Sequence, residues 1–211
     1  PANFGSPLAH KGYSFLGRVV KGWNSDRMFQ TGERLLKGLE LASPYAWDLA
    51  MRDRFGSKDF YRKGRILCTV LVGNTGYDGI AAAANEEGSD GTVRVSTANL
   101  NAALLEADFA TDPLKPTFTM RPAVGRTAFA VLDGENHSTI AGKDDGYRND
   151  ATFDLTAGGL AVTDAGFDAW CRRLDGVTAA SMHAGRKDDY RHGFQNTVCR
   201  VSDDLGDSVR D

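Results

Sequence analysis

Two side chains stand where acid–base chemistry could be done. Asp90 lies in Gly88-Ser89-Asp90-Gly91-Thr92-Val93, and His137 lies in Glu135-Asn136-His137-Ser138-Thr139. A carboxylate bonded to one imidazole nitrogen fixes the tautomer and leaves the other nitrogen as a general base near neutral pH. Taken singly, each residue has an ordinary explanation. Asp-Gly is a common turn dipeptide, and a lone loop histidine is usually a surface polar group. The pair is set apart by position, because each member follows an apolar run that reads as a buried strand. Asp78 is a competing acid closer to the first of these strands, and Asp133 is a competing orienter for His137. His10, His183 and His192 have no comparable setting and read as surface residues.

The elements that must position the pair are two strands. Arg65 to Gly73 (RILCTVLVG) is a continuous, β-branched run ending in Gly, and Thr127 to Asp133 (TAFAVLD) is a second of the same kind. Runs without polar alternation mark strands buried on both faces of a parallel sheet. Ligands of such sheets bind beyond the carboxyl ends of the strands, which is where the turns after Gly73 and Asp133 would present Asp90 and His137. Between the strands, Tyr77 to Ala84 fits a short helix, and Leu100 to Phe109 fits either a helix or an extended segment. Thr163 or Asp164 caps a helix that places Phe167, Trp170, Cys171, Leu174 and Val177 on one face. Upstream, residues 8 to 55 read as helical. Leu35, Leu36 and Leu39 share a face, and Ser43-Pro44 starts a further helix carrying Trp47, Ala50 and Met51. This segment reads either as a packed helical layer or, given its glycine breaks beside aromatics, as a lid over an apolar site.

Composition narrows the classes. With 211 residues, 41% hydrophobic and 25% charged, the chain can build one ordinary domain and is not of disordered type. Lys+Arg 25 against Asp+Glu 28 gives a net charge of −3, which argues against nucleic acid as the main partner. The longest apolar run, Ile66 to Val72, is far short of the roughly 20 residues of a membrane span. Cys68, Cys171 and Cys199 are widely spaced, without a CxxC, and read as reduced thiols. The acidic string around Asp144, Asp145, Asn149 and Asp150 lacks calcium-loop spacing and reads as solvated turn residues. Neither a metal nor an organic cofactor is called for.

In order and spacing, these segments resemble the second half of an α/β-hydrolase of the lipase/esterase type, closest to the PGAP1-like deacylases. Pro1 to Ala9 (PANFGSPLA) resembles the loop after the sixth strand, and residues 8 to 55 the helical cap. Asp90-Gly91-Thr92-Val93 resembles the catalytic-acid segment, and His137-Ser138-Thr139 the catalytic-histidine segment. The resemblance covers roughly residues 1 to 150. It implies a carboxylic-ester hydrolase in which Asp90 orients His137, His137 is general base and then acid, and the substrate is a lipid or another hydrophobic ester. It also implies a nucleophilic serine upstream, because no Gly-x-Ser-x-Gly elbow occurs in the chain. Acyl transfer to another acceptor would use the same groups. The alternative is a non-catalytic binding or scaffolding module that keeps the fold without a nucleophile.

The organisation expected is therefore a C-terminal portion of a hydrolase domain over residues 1 to 180. A linker and the first strands of a β domain would follow over 181 to 211, with Phe194 to Val201 pairing back across Asp203-Asp204-Leu205-Gly206. A chain opening in a loop at Pro1 reads as an internal piece. On that reading it needs the upstream half of the fold and aggregates without it, since two parallel strands leave a sheet edge open. Cytoplasmic and secreted settings are both compatible with this composition.

Overall fold

The computed structural model describes residues 4–6, 37–143, 146–184, 197–203, 205–207 and 209. Most of the expected cap, residues 7–36, lies outside them, as do Asp144 and Asp145. The described part is α/β. Strands β1 (Thr69–Gly73) and β4 (Ala128–Leu132) pair in parallel, with Thr69 opposite Ala128 and Gly73 opposite Leu132. Both were anticipated from their apolar runs. The first is shorter than the run, because Arg65 to Cys68 precede the ladder and Ile66 is 53% exposed.

Alternation along the two strands serves two cores. Ala128, Ala130 and Leu132, with Leu71, face helices α3 (Asp150–Ala161) and α4 (Phe167–Ala184), where Leu155, Phe167, Trp170, Cys171 and Leu174 are buried. Val70, Val72 and Val131 face the other way, onto Ala98 and Leu100, with Phe4, Val93 and Phe129 around them. Ala98 ends the single-turn helix α2 (Val95–Ala98). Both faces of the parallel pair are covered, as continuous apolar strands require.

Helix α4 begins three residues later than the expected cap and runs further. Asp164 instead accepts the Gly64 amide at 2.8 Å, tying the helix start to the segment before β1. Further along, α4 finishes the outer edge of β4. The Val131 amide donates to Thr178 Oγ1 at 3.1 Å, and Ser181 Oγ donates to the Val131 carbonyl at 2.7 Å. At Val131, backbone groups that an edge strand would leave open are thereby met by side chains.

Helix α1 (Pro44–Asp53) starts where Ser43-Pro44 placed it. Ser43 Oγ accepts the Ala46 amide at 3.0 Å, Pro44 supplies the fixed φ of the first turn, and Ala46 and Ala50 are buried. Tyr77 to Ala84 forms only a 3₁₀ helix over Gly79–Ala84. Leu100 to Phe109 resolves as a strand, β2 (Ala103–Asp108), which forms an antiparallel hairpin with β3 (Thr117–Pro122). Beyond α4, the Val209 amide donates to the Val201 carbonyl at 3.1 Å, while the described residues 197–201 form no strand and the rest of the expected strand, 194–196, lies outside the described residues.

Candidate active site

Asp90 and His137 meet. The Asp90 carboxylate Oδ2 lies 3.0 Å from His137 Nδ1, with the Asp90 side chain 3% and the His137 side chain 46% exposed. An ionised carboxylate only accepts, so Nδ1 is the donor, and in the neutral imidazole Nε2 then keeps its lone pair. Among the described residues, Nε2 has no hydrogen-bond partner.

The carboxylate is held by its own loop. Oδ1 accepts the amides of Thr92 at 3.0 Å and Val93 at 2.7 Å, and the Asp90 amide donates to the Val93 carbonyl at 3.0 Å. This closes an Asx-type turn that uses one carboxylate oxygen and turns the other to the imidazole. Gly91, at φ +92°, makes the turn possible. A Cβ there would also sit 2.7 Å from the Tyr77 ring, whose hydroxyl bonds Thr92 Oγ1 at 2.7 Å.

The imidazole is held from the other side. The His137 amide donates to the Asp90 carbonyl at 2.8 Å, so the two loops are joined through backbone as well as side chains. Asn136 Oδ1 accepts the amides of Ser138 at 2.9 Å and Thr139 at 3.0 Å, bending the chain so that His137 projects from it. Gly73, at the end of β1, lies against this turn. A Cβ on it would stand 2.0 Å from the Glu135 carbonyl, which itself accepts the Thr75 amide at 3.0 Å.

Glu135 is fully buried beside the histidine loop. Its Oε1 accepts the Asn149 amide at 3.0 Å and the Thr152 hydroxyl at 2.6 Å, anchoring the loop to the start of α3. Burial pushes the Glu135 carboxyl up. Hydrogen bonds from the Thr139 and Thr152 side chains and the Asn149 and Arg148 backbone outweigh burial and hold it below the usual carboxylate range. Sequence reasoning missed Glu135, Asn136 and Asn74. The Asn136-x-Ser-Thr order was the available sign of a side chain capping the amides that follow it.

The competing residues are elsewhere. Asp78 pairs with Arg148 and its side chain is 81% exposed. Asp133 accepts from Asn74 Nδ2 at 2.8 Å, while Asn74 Oδ1 accepts the Gly134 amide, so Asp133 closes the end of its own strand. His10, His192 and the His183 side chain lie outside the described residues. Ser181 is buried with its hydroxyl committed to Val131, and Ser89 Oγ donates to the Glu86 carbonyl at 2.6 Å. Ser6 Oγ donates to the Thr92 carbonyl at 2.6 Å, which brings Ser6 against the Asp90 turn.

No known family model matches the chain, and no curated protein matches it. Among solved structures it is similar to phospholipase PlaB from Legionella pneumophila, with a TM-score of 0.73 and 27% identity, over 100% of this chain and 47% of that one. A second structure of that phospholipase, in complex with thio-NAD, gives 0.70 and 26% over 99% of this chain and 46% of that one. The chain thus spans about half the length of the structures it matches. Its fold is that of part of an α/β-hydrolase of the lipase/esterase type.

Proposed function

We propose that the chain carries the acid and the base of a serine-type carboxylic-ester hydrolase, with the nucleophilic serine and the oxyanion hole contributed by sequence preceding residue 1. Asp90 holds the Nδ1 proton of His137. Nε2 then takes the proton of the serine hydroxyl as its oxygen attacks the ester carbonyl, and the imidazolium formed is stabilised by the Asp90 carboxylate. His137 returns that proton to the departing alcohol, and the same nitrogen activates water to hydrolyse the acyl-enzyme. No step draws on a metal or an organic cofactor.

The observation that carries this reading is the 3.0 Å contact between a buried carboxylate and a half-exposed imidazole, at the junctions following two parallel strands. Lipid or other hydrophobic esters are the substrates proposed. The apolar residues of 13 to 51 and the likeness to a phospholipase support that choice. A PGAP1-like deacylase is its narrower form.

The test is labelling by a serine-directed fluorophosphonate of the protein expressed from its complete reading frame. One serine is expected to react in the wild type, and His137→Ala is expected to slow labelling by about 10³-fold or more. Labelling undiminished in His137→Ala removes His137 from the mechanism. No labelling in the wild type leaves the non-catalytic module as the reading.

A further inference from the structure

Residues 74–77, which follow β1, touch both turns of the site and belong to neither. On the histidine side, the Thr75 amide donates to the Glu135 carbonyl at 3.0 Å, and Asn74 Oδ1 accepts the Gly134 amide at 2.9 Å. Asn136 Nδ2 reaches the Gly76 carbonyl at 3.5 Å, from the side chain whose Oδ1 caps the His137 turn. On the acid side stands Tyr77. Its ring lies against Gly91, and its hydroxyl bonds Thr92 Oγ1 at 2.7 Å. Thr92 in turn donates its amide to Asp90 Oδ1 at 3.0 Å. The Tyr77 side chain is thus one residue removed from the carboxylate that holds His137. Tyr77 is itself pinned: its amide donates to Asn85 Oδ1 at 2.7 Å, and Asn85 Nδ2 donates to its carbonyl at 2.8 Å. A side-chain amide carries an acceptor and a donor in one plane, so Asn85 pairs with the Tyr77 backbone as a neighbouring strand would. The Asn85 amide lies flat on Gly76, where a Cβ would stand 2.3 Å from Asn85 Cγ. The pairing therefore needs the bare α-carbon of glycine.

We propose that Tyr77, set in place by Asn85, is a positioning residue for Asp90. This role rests on Asp90 and His137 being the acid and base of the proposed hydrolase. Within its turn Asp90 is oriented by the amides of Thr92 and Val93, but those bonds move with the turn if it rocks as a body. The His137 amide and Ser6 Oγ hold two carbonyls of the turn, those of Asp90 and Thr92. Tyr77 adds a contact of another kind, a ring on the Gly91 backbone and a hydroxyl on the Thr92 side chain. It also comes from the segment that is bonded to the histidine turn, so acid and base are referred to one piece of backbone. A catalytic pair must be held to within about 0.5 Å of its productive geometry by such supporting contacts. Loss of the Tyr77 hydroxyl would loosen Asp90 against His137 without touching the substrate, so its effect falls on kcat rather than KM.

Steady-state hydrolysis of p-nitrophenyl butyrate by the protein from its complete reading frame tests this, each variant being assayed well below its own unfolding midpoint. His137→Ala is the control for the acid–base reading and is expected to lose about 10³-fold or more. Tyr77→Phe keeps the ring and loses the hydroxyl. It is expected to lower kcat about tenfold with KM within about twofold of wild type, and Asn85→Ala is expected to do the same. Thr92→Val should lose the same tenfold, and Thr92→Ser, which restores Oγ, should recover most of it. Tyr77→Phe/Thr92→Val should also lose about tenfold rather than 100-fold, because both substitutions remove one contact. Activity that depends on His137 but is unchanged in Tyr77→Phe overturns the role of Tyr77 and leaves the acid–base reading standing. An effect on KM with kcat intact, or losses that multiply in the double variant, overturns that role as well. A wild type without activity, or a fully active His137→Ala, overturns both.

Discussion

The Asp90–His137 junction and the β2–β3 hairpin leave the same parallel pair of strands and are built on opposite terms. At the junction nearly every polar group has a partner within the chain. Asp90 uses both carboxylate oxygens and both backbone groups, Asn136 caps the turn beside it, and Glu135 anchors that turn to α3. The hairpin has a complete ladder, but its apolar face, where Leu105 lies opposite Met120 and Phe118 opposite Ala107, is left mostly exposed among the described residues. A region that must hold two groups at fixed separation is thus over-determined by local hydrogen bonds, whereas the hairpin leaves its apolar face open among the described residues.

Mutations can break that contrast. The largest structural effect is expected where α4 packs on β4. Leu174 is fully buried between them, so Leu174→Ala should cost about 2–5 kcal/mol of stability, read as a fall in the denaturant midpoint. Gly73→Ala should cost about 1–3 kcal/mol, because its Cβ would meet the Glu135 carbonyl. It should also slow hydrolysis by moving the turn that carries His137. Were its stability to fall while activity stayed whole, the link from β1 to the histidine turn would be wrong. A smaller effect follows from the lowered Glu135 carboxyl. Its stabilisation is fully present above the unfolded carboxylate value of about 4.3 and is lost as pH falls through the lower folded value. Unfolding midpoints measured from about pH 5 downward should therefore decline less steeply for Glu135→Gln than for the wild type. Smallest of all, Phe118→Lys should change stability by no more than about 0.5 kcal/mol, since Phe118 is 61% exposed.

How far the sequence foretold these regions follows from the range of the interactions. Strands β1 and β4 were legible because burial on two faces leaves an unbroken apolar run. Helix α4 was legible because Phe167, Trp170, Cys171 and Leu174 fall on one stripe. Asp90 and His137 could be paired because both follow such strands. Helix α3 was not foreseen. It buries only Thr152 and Leu155, exposes Phe153 and Leu160, and contains Gly158 and Gly159, so no helical stripe stands out. Strand β3 alternates, but its apolar residues point outward, and the pattern alone does not say which face has a partner. Glu135 could not be read either. A carboxylate is buried only if donors reach it, and here they come from Asn149 and Thr152, 14 and 17 residues further along.

The central claim is that Asp90 holds His137 in the tautomer and orientation of a general base. Ester hydrolysis by Asp90→Asn, in the protein from its complete reading frame, tests it most directly when compared with wild type at equal thermal stability. An asparagine still fills the turn but offers Nδ1 no anionic acceptor, so the account predicts a fall in kcat of about 10³- to 10⁴-fold. A kcat within about threefold of wild type would contradict it, and would make the 3.0 Å contact a structural hydrogen bond with no part in the chemistry.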